Sequence, residues 1–195
     1  MLDYIKMYNL IDPTGNQYES TIPGTIGGHR KLKIFGRLDC PSALKYIAKG
    51  QYVQHRVFFA DEETAVVAGY RPCGVCMKNE YKRWKMINDL VLLCTPENLH
   101  KKSGYREDRY INITTKIADT LCSGEFNYGN YVELSADAID RNCNNAGSLD
   151  LNTCIATLIC IHRQQHFAGC SDVIGPRLES GMLLKIAERI KELVV

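Results

Sequence analysis

Two cysteines separated by two residues, Cys73 and Cys76, follow a tight turn and constrain this chain more than any other feature. Thiols at this spacing can bind one metal ion together, and zinc in a structural site takes four ligands in a tetrahedron. Two further ligands must therefore come from elsewhere in the sequence. Cys40 is the expected third, because it follows a predicted strand just as Cys73 follows a later strand and helix. The spacing predicts a metal site, with Zn²⁺ as the cofactor.

The cysteine count and the composition favour metal binding over disulfides. The chain has nine cysteines among 195 residues, and an odd number cannot close a full disulfide framework. Most of the other cysteines lie among apolar residues, as small core side chains do. No apolar run approaches the ~20 residues that a membrane span needs, and the N-terminus lacks the features of a signal peptide. We therefore expect a cytoplasmic protein with no membrane partner.

Short elements alternate through the first half of the chain, each bounded by turn residues. Alternating polar and apolar residues predict a strand over 30–35 with Leu32 facing inward, and β-branched and aromatic residues predict another over 52–59. The other predicted elements are a hairpin over 8–18, a glycine-rich loop over 21–28, helices over 41–50 and 61–68, and a longer helix over 78–93.

The fourth ligand is inferred from strand geometry, with His29 and His55 as the candidates. If the strands at 30–35 and 52–59 pair antiparallel, His55 falls near Cys40, whereas His29 lies up to ~23 Å from that end along an extended strand. The predicted ligand set is Cys40, His55, Cys73 and Cys76. Asp39, His29 or a water molecule stays open as the substitute for His55.

The second half of the chain differs from the first in predicted structure and in charge. It is predicted to be helical, over 113–121, 135–144, 151–164, 172–179 and 182–193. Residues 1–85 hold 13 Lys/Arg against 8 Asp/Glu, and residues 86–195 hold 11 against 14, so only the first half suits a polyanion. We predict an α+β protein with two domains, 1–85 and 86–195.

Several motifs of the first half resemble the N-terminal zinc-binding domain of the Ada methylphosphotriester repair protein family. They are Lys33-Ile34-Phe35, Cys40-Pro41-Ser42, Arg56-Val57-Phe58-Phe59, Glu63, Ala65 and Gly69-Tyr70-Arg71-Pro72-Cys73-x-x-Cys76. The match covers residues 29–85, under a third of the chain. The resemblance implies a small zinc-bound β-hairpin and helix domain, with Cys40, Cys73 and Cys76 among its metal ligands.

The sequence departs from the family's pattern at the position of the residue that performs the family's reaction. In that family a fourth zinc-bound cysteine accepts the methyl group, and its position, four residues before Cys40, is Gly36 here. Glycine offers no nucleophile, so methyl acceptance by the usual residue is excluded. The resemblance also implies contact with the DNA backbone, which carries no sequence information. The residues placed to make this contact are Lys31, Lys33, Arg37, Arg56 and Arg71.

Segments of the second half, 151–169, 178–184 and 190–193, resemble the end of a bacterial helical domain family of unknown function, which implies no activity. We expect a non-catalytic zinc-binding protein that contacts DNA or RNA backbone and is linked to DNA repair or its regulation, with protein contacts through the helical domain. Two alternatives stay open. One is an enzyme that transfers an alkyl group to Cys40, Cys73 or Cys76, or that hydrolyses with an open zinc. The other is a structural zinc module for protein–protein contact.

Overall fold

The computed structural model describes residues 5–96, 133, 145–168 and 171–194. The chain divides into two compact units, Met1–Lys85 and Met86–Val194, called here the N-terminal and C-terminal units. The N-terminal unit contains a sheet and short helices, and the described part of the C-terminal unit is helical, which confirms the α+β class. The identities of 1–85 and 86–195 as an Ada-like and a helical domain stay predictions. The predicted helices at 113–121 and 135–144 lie outside the described residues.

Six short strands form one mixed sheet in the N-terminal unit. They are β1 (Tyr8–Ile11), β2 (Gln17–Ser20), β3 (Ile26–His29), β4 (Ile34–Arg37), β5 (Arg56–Phe59) and β6 (Arg71–Pro72). The order across the sheet is β2-β1-β5-β3-β4-β6, in which the β1–β5 and β4–β6 pairs are parallel. The helices of this unit are α1 (Pro41–Ala48), α2 (Glu62–Val67) and the start of α3 (Lys78–Leu93).

Local turn chemistry accounts for the hairpin of β1 and β2, which confirms the hairpin predicted over 8–18. The Asp12 carboxylate accepts hydrogen bonds from the backbone N–H groups of Thr14 and Asn16, both at 2.9 Å. Gly15 has a φ of 86°, a conformation that glycine adopts without a Cβ penalty. These residues fix the turn without help from the rest of the fold.

The strand predicted over 30–35 is wrong in its first half. Residues 30–33 form the turn between β3 and β4, in which Lys33 has a φ of 51° and Leu32 is 59% exposed. The predicted glycine-rich loop over 21–28 contains most of β3. Glycine weakens a strand because it has no side chain to pack, but here it makes room for side chains from β5.

β3 lies between β4 and β5, so the antiparallel pairing expected between the strands at 30–35 and 52–59 is wrong. β3 is antiparallel to both neighbours, which places Gly27 opposite Gly36 of β4 and opposite Phe58 of β5. Because side chains alternate between the two faces of a sheet, one face carries Phe35 and Phe59 into the core of this unit. The opposite face carries the two glycines.

The C-terminal unit contains the described helices α4 (Leu151–Phe167), α5 (Gly175–Glu179) and α6 (Met182–Val194). They confirm the helices predicted at 151–164 and 182–193, and α5 is shorter than the helix predicted at 172–179. Their apolar sides form one core that includes Ile155, Leu178 and Ile186. None of the helices in the described segments is both long and apolar enough to cross a membrane.

Replacing Ile186 by alanine is expected to lower the free energy of unfolding by about 2–5 kcal/mol, because the side chain is 2% exposed and its loss leaves a cavity. Glu188→Ala on the exposed side of the same helix is the matched control and is expected to change it by less than about 0.5 kcal/mol. Urea denaturation followed by circular dichroism measures both. Equal effects of the two substitutions would contradict this placement of α6.

Candidate metal centre

Three thiols meet in the N-terminal unit. The sulfur atoms of Cys40, Cys73 and Cys76 lie within 4.8 Å of one another, and no other group of three potential metal ligands is this compact in the described part of the chain. The Cys40 and Cys73 sulfurs are 3.9 Å apart. Two sulfurs bound to one tetrahedral zinc at the usual Zn–S length lie about 3.8 Å apart, whereas a disulfide needs about 2.05 Å. The spacing therefore fits a shared metal ion.

The parallel pairing of β4 with β6 brings these thiols together. Cys40 lies three residues beyond β4, and Pro41 starts α1 directly after it, a position at which proline is favoured. Cys73 follows β6 at once, and its carbonyl accepts a hydrogen bond from the Met77 N–H at 3.0 Å, closing the turn that carries Cys76. Because β4 and β6 run in the same direction, both segments deliver their cysteines at the same end of the sheet.

The environment of two of the thiols shifts their pKa values in opposite directions. Burial raises the pKa of the Cys76 thiol to about 12. Burial also acts upward on Cys73, but the N–H groups of Cys76 and Val75 and the neighbouring thiols outweigh it, so its pKa lies below the ordinary value. Of these two, Cys73 ionises first. The thiolate is the form that binds metal, so Cys76 must lose a proton when metal binds.

Zinc affinity is therefore expected to rise with pH, by about tenfold per pH unit for each proton that zinc displaces. The sign follows from the Cys76 pKa of about 12, because a thiol protonated near neutral pH favours the metal-free state more strongly as the pH falls. Competition with a chelator of known affinity, repeated between about pH 6 and pH 8, measures the slope. An affinity that does not change with pH would argue against thiolate ligation.

Gly36 faces the thiols directly. A Cβ atom at this position would lie 2.8 Å from the Cys76 sulfur and 3.9 Å from the Cys73 sulfur. The position that matches the methyl-accepting cysteine of the Ada family thus adjoins the three thiols and supplies no ligand atom to them.

The structure does not bring His55 into the three-thiol group. His55 ends a single-turn 3₁₀ helix (Val53–His55) directly before β5, so the strand predicted over 52–59 begins only at Arg56. The His55 carbonyl accepts a hydrogen bond from the Arg30 N–H at 2.8 Å, and the His55 ring centroid is 5.0 Å from that of His29. The Nδ1 atom of His29 accepts a hydrogen bond from the Leu32 N–H at 3.2 Å. The pairing that placed His55 beside Cys40 is absent, because β3 separates β4 from β5. Ligation by His55 stays a prediction.

A cleft of about 230 Å³ adjoins the thiols, and Cys40 and Cys73 contribute to its lining. Gly27 and Gly36, opposite each other in β3 and β4, form part of its floor. The Arg56 guanidinium lies over Gly27, where a Cβ would be 2.6 Å from Nη2. Sequence reasoning missed this cleft. The sequence feature that could have indicated it is the glycine pair Gly27–Gly28, which can pack against a strand that carries Arg56.

Tyr52 lines this cleft together with Arg56, Cys40 and Cys73. The Arg56 guanidinium carbon lies 5.4 Å from the centroid of the Tyr52 ring. Burial raises the pKa of the Tyr52 hydroxyl, Arg56 opposes that rise, and the nearby Cys73 and Cys40 add to it. Tyr52 therefore lies close enough to both groups to interact with each electrostatically.

The five basic residues predicted to contact nucleic acid occupy two kinds of setting. Lys31, Lys33 and Arg37 are exposed, and Arg37 forms an ion pair with Asp39 at 3.2 Å. Three of the five hold their cations over aromatic rings at 4.3 to 5.8 Å: Lys33 over Tyr70, Arg56 over Tyr52 and Phe58, and Arg71 over Tyr81 and Trp84. Such contacts restrict the position of a cation. The nucleic-acid role of all five stays a prediction.

Comparisons of this chain with protein-family models, with curated proteins and with solved structures find no match. The likeness of residues 29–85 to the Ada family, and of the C-terminal segments to a helical domain family, therefore rests on the sequence motifs alone. The three thiols define a candidate metal centre and do not by themselves establish membership of that family.

Proposed function

We propose that the N-terminal unit is a zinc-binding module in which Cys40, Cys73 and Cys76 hold Zn²⁺ as thiolates. The observation that carries this proposal is the meeting of three thiols from two separate turns within 4.8 Å. Soft thiolate ligands favour zinc over hard cations such as magnesium or calcium. The metal ties the turn after β4 to the turn after β6, and so adds to the stability of a unit with a small apolar core. Metal analysis of the purified protein tests it.

We also infer that this module contacts nucleic-acid backbone without catalysing a reaction. The excess of Lys/Arg over Asp/Glu in residues 1–85 supports the contact, as does the exposure of Lys31 and Arg37. The Ada-like motifs support a link to DNA repair or its regulation. Gly36 supports the absence of methyl transfer, because the side chain that would accept the group is missing.

Binding of a fluorescent DNA duplex by the full chain is expected to weaken steeply as salt rises, because neutralised phosphates release counterions. The double variant Lys31→Glu, Arg37→Glu is expected to weaken binding by about tenfold or more and to reduce the salt slope by about 2. The double variant Lys185→Glu, Lys191→Glu makes the same charge change in the C-terminal unit and is expected to leave binding unchanged.

Fluorescence anisotropy across a salt series measures both effects, and a single-stranded RNA of the same length gives the preference between DNA and RNA. Absence of salt-dependent binding to either would reject nucleic-acid contact and leave the structural zinc module for protein–protein contact as the better account.

A further inference from the structure

Three thiols leave one corner of a tetrahedral zinc site unassigned. Gly36 adjoins the thiols and has no side chain, and the imidazoles of the described histidines lie outside the compact group. Zinc sites with three protein ligands keep the fourth position for water or for a ligand from solution. The cleft reaches the thiols, since Cys40, Cys73 and Gly36 all contribute to its lining.

Arg56 supplies a fixed cation in the same cleft. Its guanidinium carbon lies 5.4 Å from the Tyr52 ring centroid and 5.3 Å from that of Phe58, which restricts its position. The ion pairs formed among the described residues do not include Arg56. A guanidinium presents paired N–H donors whose geometry matches a carboxylate. The cleft therefore offers a built recognition site for an organic anion.

The distance between the thiols and Arg56 limits what fits. Cβ positions of directly opposed residues in an antiparallel pair are about 4.5–5.5 Å apart, and Gly27 and Gly36 are such a pair. Arg56 Nη2 is 2.6 Å from the first of these positions and the Cys76 sulfur is 2.8 Å from the second. The Arg56 Nη2 atom and the Cys76 sulfur are thus separated by about 11 Å at most. Gly27 and Gly36, which have no side chains, line the cleft between these two atoms. The volume of the cleft is about 230 Å³.

We propose that this cleft binds a small thiol-carboxylic acid, whose sulfur completes the metal coordination and whose carboxylate pairs with Arg56. Sulfur is the donor that best matches a zinc ion already held by thiolates. The thiol releases its proton to solvent on binding, and Arg56 offsets the negative charge that the ligand brings. Ile34, Tyr46 and Tyr52 line the same cleft and offer apolar surface for the short carbon chain. The proposal rests on the zinc site proposed above.

Cobalt-substituted full-length protein tests the proposal, with 3-mercaptopropionate as the probe. Cobalt in a tetrahedral thiolate site gives visible bands that respond to each added sulfur ligand. We expect 3-mercaptopropionate to intensify the sulfur-to-cobalt band and to bind at least about tenfold more tightly than 2-mercaptoethanol, which lacks the carboxylate. Propionate, which lacks the thiol, is expected to leave that band unchanged.

Three variants separate the roles of the residues. Arg56→Met keeps much of the apolar length of the side chain and removes the charge, and it is expected to abolish the preference for 3-mercaptopropionate while the response to 2-mercaptoethanol remains. Lys45→Met removes a cation from the exposed side of α1, outside the lining of the cleft, and is expected to bind cobalt and both thiols as the unsubstituted protein does. His55→Ala tests the predicted ligation by His55. One cobalt per chain in each variant shows that the site is folded.

The possible failures are distinguishable. Protein that binds no cobalt would overturn the metal site and this proposal together. Cobalt-loaded protein whose spectrum does not respond to either thiol would overturn the cleft proposal alone, and a response that appears only in His55→Ala would assign the fourth corner to His55. Equal affinities for the two thiols in the unsubstituted protein would overturn the role of Arg56.

Discussion

The Cys73→Ser protein is expected to lose stoichiometric zinc binding and to melt at a lower temperature than the unsubstituted chain. Cys73 donates the sulfur that lies 3.9 Å from that of Cys40 and follows the strand that brings the second turn to the first. Loss of a partner that only orients a metal ligand costs about 10–100-fold in affinity, and loss of the ligand itself is expected to cost more. The melting temperature is expected to fall because metal binding to the folded state contributes to the stability of that state.

Cys160→Ser is the matched control for Cys73→Ser. Cys160 is a free, half-buried cysteine on α4 that does not belong to the three-thiol group. We expect this variant to retain one zinc per chain with unchanged affinity. Isothermal titration with zinc and a thermal melt measure both proteins. Unchanged zinc affinity in Cys73→Ser would show that the thiols meet without holding the metal.

Gly36→Cys is expected to raise zinc affinity by at least about tenfold, because its sulfur enters the open corner beside three thiolates. The backbone allows this change, since Gly36 is not among the glycines with positive φ. The new Cβ would lie 2.8 Å from the Cys76 sulfur and 2.9 Å from the Cys73 Cβ, so the turn that carries Cys73 and Cys76 must shift to admit it. The same variant is expected to lose the spectral response to added thiols.

Gly36→Ala separates the effect of the added sulfur ligand from the effect of the added Cβ atom. It adds the same Cβ without a sulfur, so we expect it to weaken zinc binding through contact with the Cys73 turn. Competition against a chelator measures all three proteins. If Gly36→Cys binds zinc no better than Gly36→Ala, the corner that faces Gly36 is not the fourth coordination position.

Much of the local structure could be predicted from short stretches of sequence. Asp12 and Gly15 define their turn by their own hydrogen bonds and φ, and Asp61 caps α2 by accepting from the Thr64 N–H at 2.8 Å. The three cysteines of the candidate site also needed only local information. Two of them share one turn, and the third follows β4, which lies within a few residues of the strand predicted over 30–35.

The order of the strands could not be predicted, because it depends on contacts between distant residues. A Cβ at Gly28 would lie 2.8 Å from the Phe59 ring, and one at Gly27 would meet Arg56, so the glycines permit β3 to pack between β4 and β5. In isolation the same glycines indicate a loop. The prediction that His55 lies beside Cys40 assumed direct pairing of the strands at 30–35 and 52–59, which the observed strand order does not have. The observed order is also needed to recognise that Arg56 lines the same cleft as Cys40 and Cys73.

Metal analysis of protein purified without added zinc, combined with X-ray absorption at the zinc edge, tests the central claim most directly. The account predicts one zinc per chain with three sulfur ligands at about 2.3 Å. A fourth ligand that is an imidazole nitrogen would assign the remaining corner to a histidine, whereas oxygen or a further sulfur from solution would support the open corner beside Gly36. A protein without bound metal, or a zinc shell without sulfur, would contradict the account.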